Sequence, residues 1–407
     1  MNKSLFYLLL PATLLLFFVS CIERDELGLP SAPAAQGKIV ARTLVESFTT
    51  EQVTAYMNDY SPIIAALLPP QYPVDLYKIV YETLDHDDEV VAASGILAIP
   101  RGLSNPLPLA SYQHGTIFSK NSCPSQGSTE QLIAIGLAAS GGYVTQIADY
   151  IGLGNSMGFH PYHHAQTEAT ATIDLLRASR SLCTQLNVPL NDQLFLFGYS
   201  QGGHATMATH QYIEQYYDEE FTVTASAPME GAYDISGAQT DILLSGEPYP
   251  APYYLPYLLF SYNEVYDLYP TLADALKPEW YAILAPMLYD NTNYSDGDID
   301  AAMPDIPIEI VKDDILDDFR NNSEHPLRKA LRENDTYKWT PKAPMKMFHC
   351  NGDLHVDFKN AENAYAYFQE KGATNVELVM PLEGGTHETC VLPCLIQGKE
   401  WFDSLKE

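Results

Sequence analysis

The sequence has few basic residues, few cysteines and no internal repeats. Its 22 lysines and arginines stand against 52 aspartates and glutamates, which gives a formal net charge of −30. Because no basic run of useful length occurs, we expect no nucleic-acid partner. The six cysteines have neither CxxC nor zinc-finger spacing, and the adjacent His163 and His164 would point in different directions on a helix. We therefore predict neither a metal site nor a cofactor.

The first residues resemble the export signal of a bacterial lipoprotein. Lys3 supplies a positive charge, and an apolar run over residues 5–19 ends at Ser20-Cys21. The run is shorter than the roughly 20 residues that cross a bilayer, and a small residue before a cysteine is typical of a cleavage site. We predict a signal peptide over residues 1–20, a lipid on Cys21, and membrane anchoring at the cell envelope. The expected location is the outer membrane, on its periplasmic or surface face; a secretory signal cut elsewhere is the alternative.

The remaining cysteines are compatible with a disulfide. If Cys21 is lipidated, an odd number remains, so at least one is free or pairs between chains. An envelope protein can form disulfides, and the pairing stays open among Cys123, Cys183, Cys350, Cys390 and Cys394.

Strand and helix patterns alternate from Lys38 onward. This alternation is typical of a mostly parallel central sheet with helices on both faces. Residues 50–68 have helical spacing, and the alternating segments 76–84 and 89–99 predict a hairpin.

One long segment interrupts this alternation. Residues 233–341 contain no clear strand and many aromatic side chains, and they are too many for a loop in a compact domain. We predict that they form a helical cap inserted over the active end of the sheet. The expected division is a tether over 21–37, an α/β core over 38–232 and 342–407, and the cap. Several tyrosines near the start of the cap either line a pocket or pack within it: Tyr249, Tyr253, Tyr254, Tyr257, Tyr262, Tyr266 and Tyr269.

The strongest chemical signal is a Gly-x-Ser-x-Gly motif. An apolar strand runs into Gly198-Tyr199-Ser200-Gln201-Gly202, and a helical pattern follows. A serine on so tight a turn needs neighbours without side chains, and it is raised to the N-terminus of a helix that favours developing negative charge. In this strand–turn–helix context the motif predicts that Ser200 is a nucleophile.

A nucleophilic serine needs a base and an acid that orients the base. With this motif the chain order is serine, acid, histidine. Asp353 follows a predicted strand and fits the acid, with Asp357 as the second candidate. His387 is the only histidine after the last predicted strand, and we predict that it is the base.

A tetrahedral intermediate needs hydrogen-bond donors for its oxyanion. One donor is expected to be the backbone N–H of Gln201, directly after the nucleophile. The second is expected from the loop at Tyr112-Gln113-His114-Gly115-Thr116, which follows a short apolar strand. The Thr116 N–H is the first choice and the Gly115 N–H the second; a plain turn at His114-Gly115 is the alternative.

Taken together, several segments resemble the secretory lipase family, which contains fungal lipase A-like enzymes and related bacterial esterases. The resemblance implies an α/β-hydrolase fold and hydrolysis of carboxylic esters by a lipoprotein member of the family. It puts Asp353 and His387 at the family's acid and base positions. The similar segments are Tyr112–Thr116, Ala148–Gly154, Asp174–Ala178 and Gly198–Gly203.

The predicted function is a serine esterase or lipase that acts on a small-molecule or lipid ester through an acyl-enzyme. A serine peptidase of the prolyl-oligopeptidase type has the same sheet and triad, but a propeller-length segment before the sheet is not evident. A non-catalytic surface binding protein is disfavoured because Ser200, Asp353 and His387 are all present.

Overall fold

The computed structural model describes residues 36–407 and is built around one nine-stranded sheet. The predicted signal peptide, the lipidation of Cys21 and most of the tether lie outside these residues and stay predictions. The strands are β1 (Ile39–Phe48), β2 (Val74–Leu84), β3 (Val90–Pro100), β4 (Leu107–Gln113), β5 (Val144–Ala148), β6 (Leu190–Tyr199), β7 (Ala225–Met229), β8 (Met345–Phe348) and β9 (Val376–Val379).

Helices connect most of these strands. They are α1 (Thr50–Tyr60), α2 (Pro62–Leu67), α3 (Gln131–Gly141), α4 (Ala165–Gln185), α5 (Gln201–Tyr216), α6 (Thr240–Leu243), α7 (Tyr254–Tyr266), α8 (Pro278–Leu288), α9 (Asp296–Asp300), α10 (Asp313–Asn321), α11 (Pro326–Glu333), α12 (Lys359–Glu370) and α13 (Val391–Leu405). Within residues 36–407, no helix has both the length and the apolar character needed to cross a bilayer.

The sheet is antiparallel at one edge and parallel elsewhere. Its strand order is β1-β2-β3-β5-β4-β6-β7-β8-β9. The first three pairs, up to β3–β5, are antiparallel, and every later pair is parallel. The β2–β3 pair is the hairpin predicted from residues 76–99. Because parallel strands end at the same edge, the loops after β4, β6, β7 and β8 meet at one rim of the sheet.

Both faces of the sheet are covered, as expected for a largely parallel sheet. Side chains of α1, α3 and α13 form one buried cluster with the sheet, including Met57, Ile135 and Phe402. Side chains of α4 and α5 form a second cluster on the opposite face, including Ile173 and Ala208. The predicted α/β class with helices on both faces is therefore confirmed.

The helix predicted over residues 50–68 is divided in two. Ser61 is extended, with φ −159° and ψ 115°, and it ends α1 and caps α2. Pro62 is the cause, because a proline disfavours helical geometry in the residue before it. The Ser61 side chain then accepts a hydrogen bond from the Ile64 N–H and begins α2.

The chain between β7 and β8 contains α6 to α11 and no strand of the sheet. A separate buried cluster, built largely of these helices, includes Tyr257, Tyr262 and Leu284. Within this segment, Leu276 and Val311 form an isolated antiparallel β-bridge. These helices occupy the segment in which we predicted a cap, and the exact domain boundaries stay a prediction.

One disulfide connects the loop after β8 to the start of α13. Cys350 and Cys390 are bonded, while the Cys394 Sγ lies 3.6 Å from the Cys390 Sγ and is free. Cys123 and Cys183 are buried free thiols. The pairing left open by the sequence is thus Cys350–Cys390, between the two loops that carry Asp353 and His387.

The double substitution Cys350→Ser with Cys390→Ser should lower the free energy of unfolding by about 3 to 4 kcal/mol, because it removes a cross-link that constrains the unfolded chain. Urea unfolding followed by fluorescence measures this loss. Cys394→Ser is the matched control: it removes a neighbouring thiol but no cross-link, and should cost less. Equal urea midpoints for the wild type and the double variant would contradict the pairing.

Candidate active site

Ser200 lies in the turn between β6 and α5, at the rim of the sheet. Its backbone has φ 61° and ψ −121°, a left-handed conformation that is costly for a residue with a Cβ. The Ser200 N–H donates to the Met229 carbonyl of β7 at 3.0 Å, and the Gly203 N–H donates to the Ser200 carbonyl at 2.8 Å. These contacts hold the turn in place.

The glycines beside Ser200 are required by close backbone approach. A Cβ on Gly202 would collide with the carbonyl oxygen of Gln113, at the end of β4. A Cβ on Gly198 would collide with the carbonyl oxygens of Gly202 and Gln113. The turn therefore packs directly against the end of β4, and the oxyanion loop predicted from the sequence begins there.

Ser200, His387 and Asp353 form a continuous hydrogen-bonded chain. His387 Nε2 lies 2.9 Å from Ser200 Oγ, and His387 Nδ1 lies 2.6 Å from Asp353 Oδ2. All three residues are less than a tenth exposed. The structure thus brings together the three side chains selected from sequence order.

Asp353 is held as a carboxylate by several donors. Its Oδ1 accepts hydrogen bonds from the N–H groups of His355 at 2.7 Å and Val356 at 2.9 Å. Burial by itself would raise the pKa of Asp353, but the hydrogen bond and charge of His387 lower it well below the usual range. Asp357, the second candidate, instead accepts from the Lys359 N–H at 2.7 Å and begins α12.

His387 is also fixed from two other directions. Its carbonyl accepts a hydrogen bond from the Tyr199 hydroxyl. The ring of His355 stacks on the His387 ring, with centroids 4.9 Å apart and planes 6° apart. Burial, and then the neighbouring His387, lower the pKa of His355. A neutral His355 can therefore lie against the base without competing for a proton at neutral pH.

The residues predicted for the oxyanion lie beside Ser200. A Cβ built on Gly115 would be 3.7 Å from the Ser200 Cβ, so the loop after β4 touches the serine. Within the described residues, the amides of Gly115, Thr116 and Gln201 have no protein acceptor. The Thr116 hydroxyl lies 3.0 Å from the Tyr162 hydroxyl. These amides are therefore free to receive an external acceptor.

The side chain of Gln201 is anchored by a network that the sequence did not reveal. Its Nε2 lies 2.8 Å from Glu168 Oε1 and 2.8 Å from His160 Nε2. Burial lowers the pKa of His160 to about 3, and its Nδ1–H donates to the Ile151 carbonyl, so Nε2 is an acceptor. The network fixes the residue whose N–H faces the predicted oxyanion.

The segment around Asp149 contacts the loop after β4, in which we predicted the second oxyanion donor. Asp149 Oδ1 accepts from the Ser125 N–H at 2.9 Å, and Oδ2 accepts from the Ser94 hydroxyl at 2.5 Å. The Tyr150 hydroxyl donates to the His114 carbonyl at 3.3 Å. Tyr150, Gly152 and Gly154 all have positive φ. The segment is therefore a tight turn that contacts the loop after β4.

The family description Secretory lipase matches residues 121–228 in sequence. This range includes the Asp149–Gly154 turn and the Ser200 motif. The resemblance to the secretory lipases is thereby confirmed. No curated protein sequence matches the chain.

Solved structures extend the similarity over most of the chain. A protein from Legionella pneumophila assigned as a hydrolase is 28% identical, and the match covers 90% of this chain and 98% of that one, with a TM-score of 0.82. The rice cell wall degrading esterase LipA from Xanthomonas oryzae is also 28% identical, with coverage of 91% and 97% and a TM-score of 0.78. Candida antarctica lipase A, at 18% identity, coverage of 90% and 83% and a TM-score of 0.65, is similar in fold. The α/β-hydrolase fold is confirmed.

Three cavities lie near the site. One, of about 30 Å³, is lined by Ser200 and by residues of the segment between β7 and β8, and it shares Thr240, Leu243 and Leu258 with an apolar cavity of about 60 Å³ inside the helices of that segment. The third, of about 220 Å³, reaches Gly115 and lies between α2, α3 and α13. Apolar space therefore adjoins Ser200 on its cap side and Gly115 on its core side.

Three buried clusters near the site contain side chains of metal-binding type, and one of them combines Glu230 with Cys390 and Cys394. His163, Glu168 and His204 have ligand atoms within 4.8 Å of one another, and so do Glu230, His349 and Asp353. His204 Nδ1 lies 2.7 Å from Glu168 and its Nε2 2.9 Å from the Asn334 carbonyl, so both nitrogens face acceptors. Burial alone would lower the pKa of His204, but Glu168 raises it. Both ring nitrogens of His204 are therefore occupied by contacts with protein acceptors.

Gly202→Ala should destabilise the fold strongly, because its methyl group would meet a backbone oxygen that cannot rotate away; overpacking costs about 1 to 3 kcal/mol or more. Gly115→Ala is the matched control, since its methyl group would lie 3.5 Å from the nearest atom, the Tyr199 carbonyl oxygen. Thermal unfolding followed by fluorescence checks both variants. Similar melting temperatures for the two variants would show that the Ser200 turn is looser than described.

Proposed function

We propose that the chain is a serine carboxylic-ester hydrolase, an esterase or lipase. The hydrogen-bonded chain Ser200–His387–Asp353 is the observation that carries this proposal. Such a chain recurs in acyl-transfer enzymes, in which the histidine takes the serine proton and the acid orients the histidine. The similarity to secretory lipases and to the Xanthomonas esterase LipA supports an ester substrate.

The geometry supports a two-step mechanism. His387 Nε2 accepts the Ser200 proton while Ser200 Oγ attacks the ester carbonyl carbon. The resulting oxyanion would receive hydrogen bonds from the N–H of Gln201 and from the N–H of Thr116 or Gly115. His387 then gives its proton to the leaving alkoxide, and the alcohol departs. His387 takes a proton from water, which attacks the acyl-enzyme; the bond between the acyl carbon and Ser200 Oγ then breaks, His387 returns the proton to Ser200 Oγ, and the carboxylic acid leaves.

Several features support a dry and polarised site for this reaction. Ser200 and Asp353 are almost fully buried, and electrostatic interactions are stronger where water is excluded. Ser200 stands at the N-terminus of α5, where the helix dipole favours negative charge. Apolar side chains of the cap line the cavity above it, which suits an aliphatic acyl group.

Ser200→Ala should lower turnover of a p-nitrophenyl ester by at least about 10³-fold, because the nucleophile is lost. It should also abolish labelling by a fluorophosphonate probe. Ser104→Ala is the control, since Ser104 is an exposed serine distant in sequence from the motif. The measurement uses protein that begins after residue 21.

Two outcomes would redirect the proposal. Absence of labelling in the wild type would favour a non-catalytic binding protein. Turnover of peptide amides at the same kcat/KM as matched esters would favour a serine peptidase instead.

Leu258→Trp should discriminate between acyl chain lengths. Leu258 lines both the cavity at Ser200 and the apolar cavity inside the helices after β7, so a tryptophan there would fill space at the wall that the two cavities share. We expect kcat/KM for a palmitoyl ester to fall at least tenfold while acetyl-ester turnover changes by less than about threefold. Leu395→Trp, in the core-side cavity, is the matched control. The reverse pattern would assign the acyl chain to the core-side cavity.

A further inference from the structure

A second acidic residue lies directly behind the proposed triad. Glu230 follows β7, just as Asp353 follows the neighbouring parallel strand β8. Its side chain is completely buried, and its backbone has a positive φ of 48°. A buried carboxyl on a strained backbone is costly, so the surrounding contacts must favour it.

The contacts of Glu230 point to Asp353. Its Oε1 accepts from the Cys350 N–H at 2.7 Å, and its Oε2 lies 2.9 Å from His349 Nε2. The same His349 nitrogen lies 2.9 Å from the Val356 carbonyl and 3.9 Å from Asp353 Oδ2. Ligand atoms of Glu230, His349 and Asp353 all lie within 4.8 Å of one another.

Charge balance requires a proton in this group. Two ionised carboxylates with a neutral histidine would leave two negative charges in a dry site, which is strongly unfavourable. His349 Nε2 faces two acceptors and therefore carries a hydrogen. Burial raises the pKa of Glu230 to about 7, and Glu230 raises the pKa of His349 against the effect of burial. Near neutral pH the pair therefore shares one extra proton, so that either Glu230 is protonated beside a neutral His349 or an ionised Glu230 lies beside a protonated His349.

Other titratable groups near Glu230 do not compete for this proton. The charge of Glu230 acts on three neighbouring groups, Tyr199, Tyr233 and Cys394. Burial raises the pKa of all three, so they stay neutral at neutral pH. His387 faces the pair only across Asp353.

We propose that Glu230 and His349 form a positioning pair for the triad, which retains one proton behind Asp353 and keeps Asp353 as the single net negative charge facing His387. The pair touches neither substrate nor Ser200 and acts through Asp353. It thereby orients the carboxylate that orients the base. This inference rests on the proposed serine mechanism.

The test compares Glu230→Gln with Glu230→Ala in the protein that begins after residue 21. Glutamine has the shape of the protonated acid, and its side-chain oxygen can still accept from the Cys350 N–H, so kcat/KM at pH 6 should stay within about threefold of the wild type. Alanine removes the support, and kcat should fall at least tenfold with KM within about twofold. Melting temperatures are measured for both variants, and the Gln variant decides alone if the Ala variant does not fold.

The pH dependence separates positioning from a purely structural role. In the wild type, the kcat/KM profile and the ring-NMR titration of His349 should both contain a step near pH 7 from the coupled pair. In Glu230→Gln the contribution of the pair should disappear from both curves, and the kcat/KM profile should keep only the pH dependence of the base. Glu214→Gln is the matched control. Glu214 Oε1 lies 3.0 Å from His210 Nε2 in a similar buried pair that does not contact the triad. The pH profile of this variant should keep the wild-type shape.

The failures are distinguishable. A wild type without Ser200-dependent ester turnover would overturn the proposed function, and the NMR titration would then test the pair on its own. An active wild type whose Glu230 variants keep its kcat and its pH profile would overturn this inference. The inference would also fail if Gln and Ala variants lose the same activity and the step near pH 7 remains.

Discussion

The rest of the site depends on the close approach of three backbone segments at Ser200. The turn between β6 and α5 packs against the end of β4, and the β7 carbonyl of Met229 accepts its N–H. A left-handed serine costs about 1 to 3 kcal/mol and persists only where such contacts over-determine it. Because β4 ends at this point, the loop at Gly115 must pass beside Ser200. One packing constraint therefore positions both the proposed nucleophile and the proposed oxyanion amides.

Because the surroundings of this turn are buried, an unpaired charge there would be strongly destabilising. A buried pair of a glutamate and a histidine lies on each side of the turn. Glu168 and His204 lie beneath Gln201, while Glu230 and His349 lie behind Asp353. In each pair a carboxylate that would be costly alone is matched by a histidine proton. Removing one partner of such a pair is more disruptive than replacing both. The two pairs lie beside different parts of the proposed site, one at Gln201 and the other at Asp353.

The fold and the central triad could be predicted because their signals are local or ordered along the chain. Alternating patterns indicated the sheet, and serine, acid and histidine follow their strands in sequence. Glu168 and Glu230 could not be found in this way, because their partners lie in distant segments and no short motif joins them. The Cys350–Cys390 bond stayed open for the same reason, since several cysteines were equally available until the two loops met. The break at Pro62 could have been predicted from the effect of a proline on the residue before it, but the helical spacing of the residues on both sides favoured one continuous helix.

The helices after β7 show why substrate preference is harder to read than reaction type. The tyrosines of this segment had two possible roles, and the structure divides them between the two. Tyr257 and Tyr262 are buried and pack inside the cluster, where Tyr257 stacks on Tyr162 with ring centroids 4.4 Å apart. Tyr254 instead lines the cavity at Ser200. Identical residue types a few positions apart thus take different roles, because helical phase and packing, rather than composition, decide which ring faces the cavity. The shape of that cavity follows from these packing choices, whereas the chemistry below it follows from the turn at Ser200.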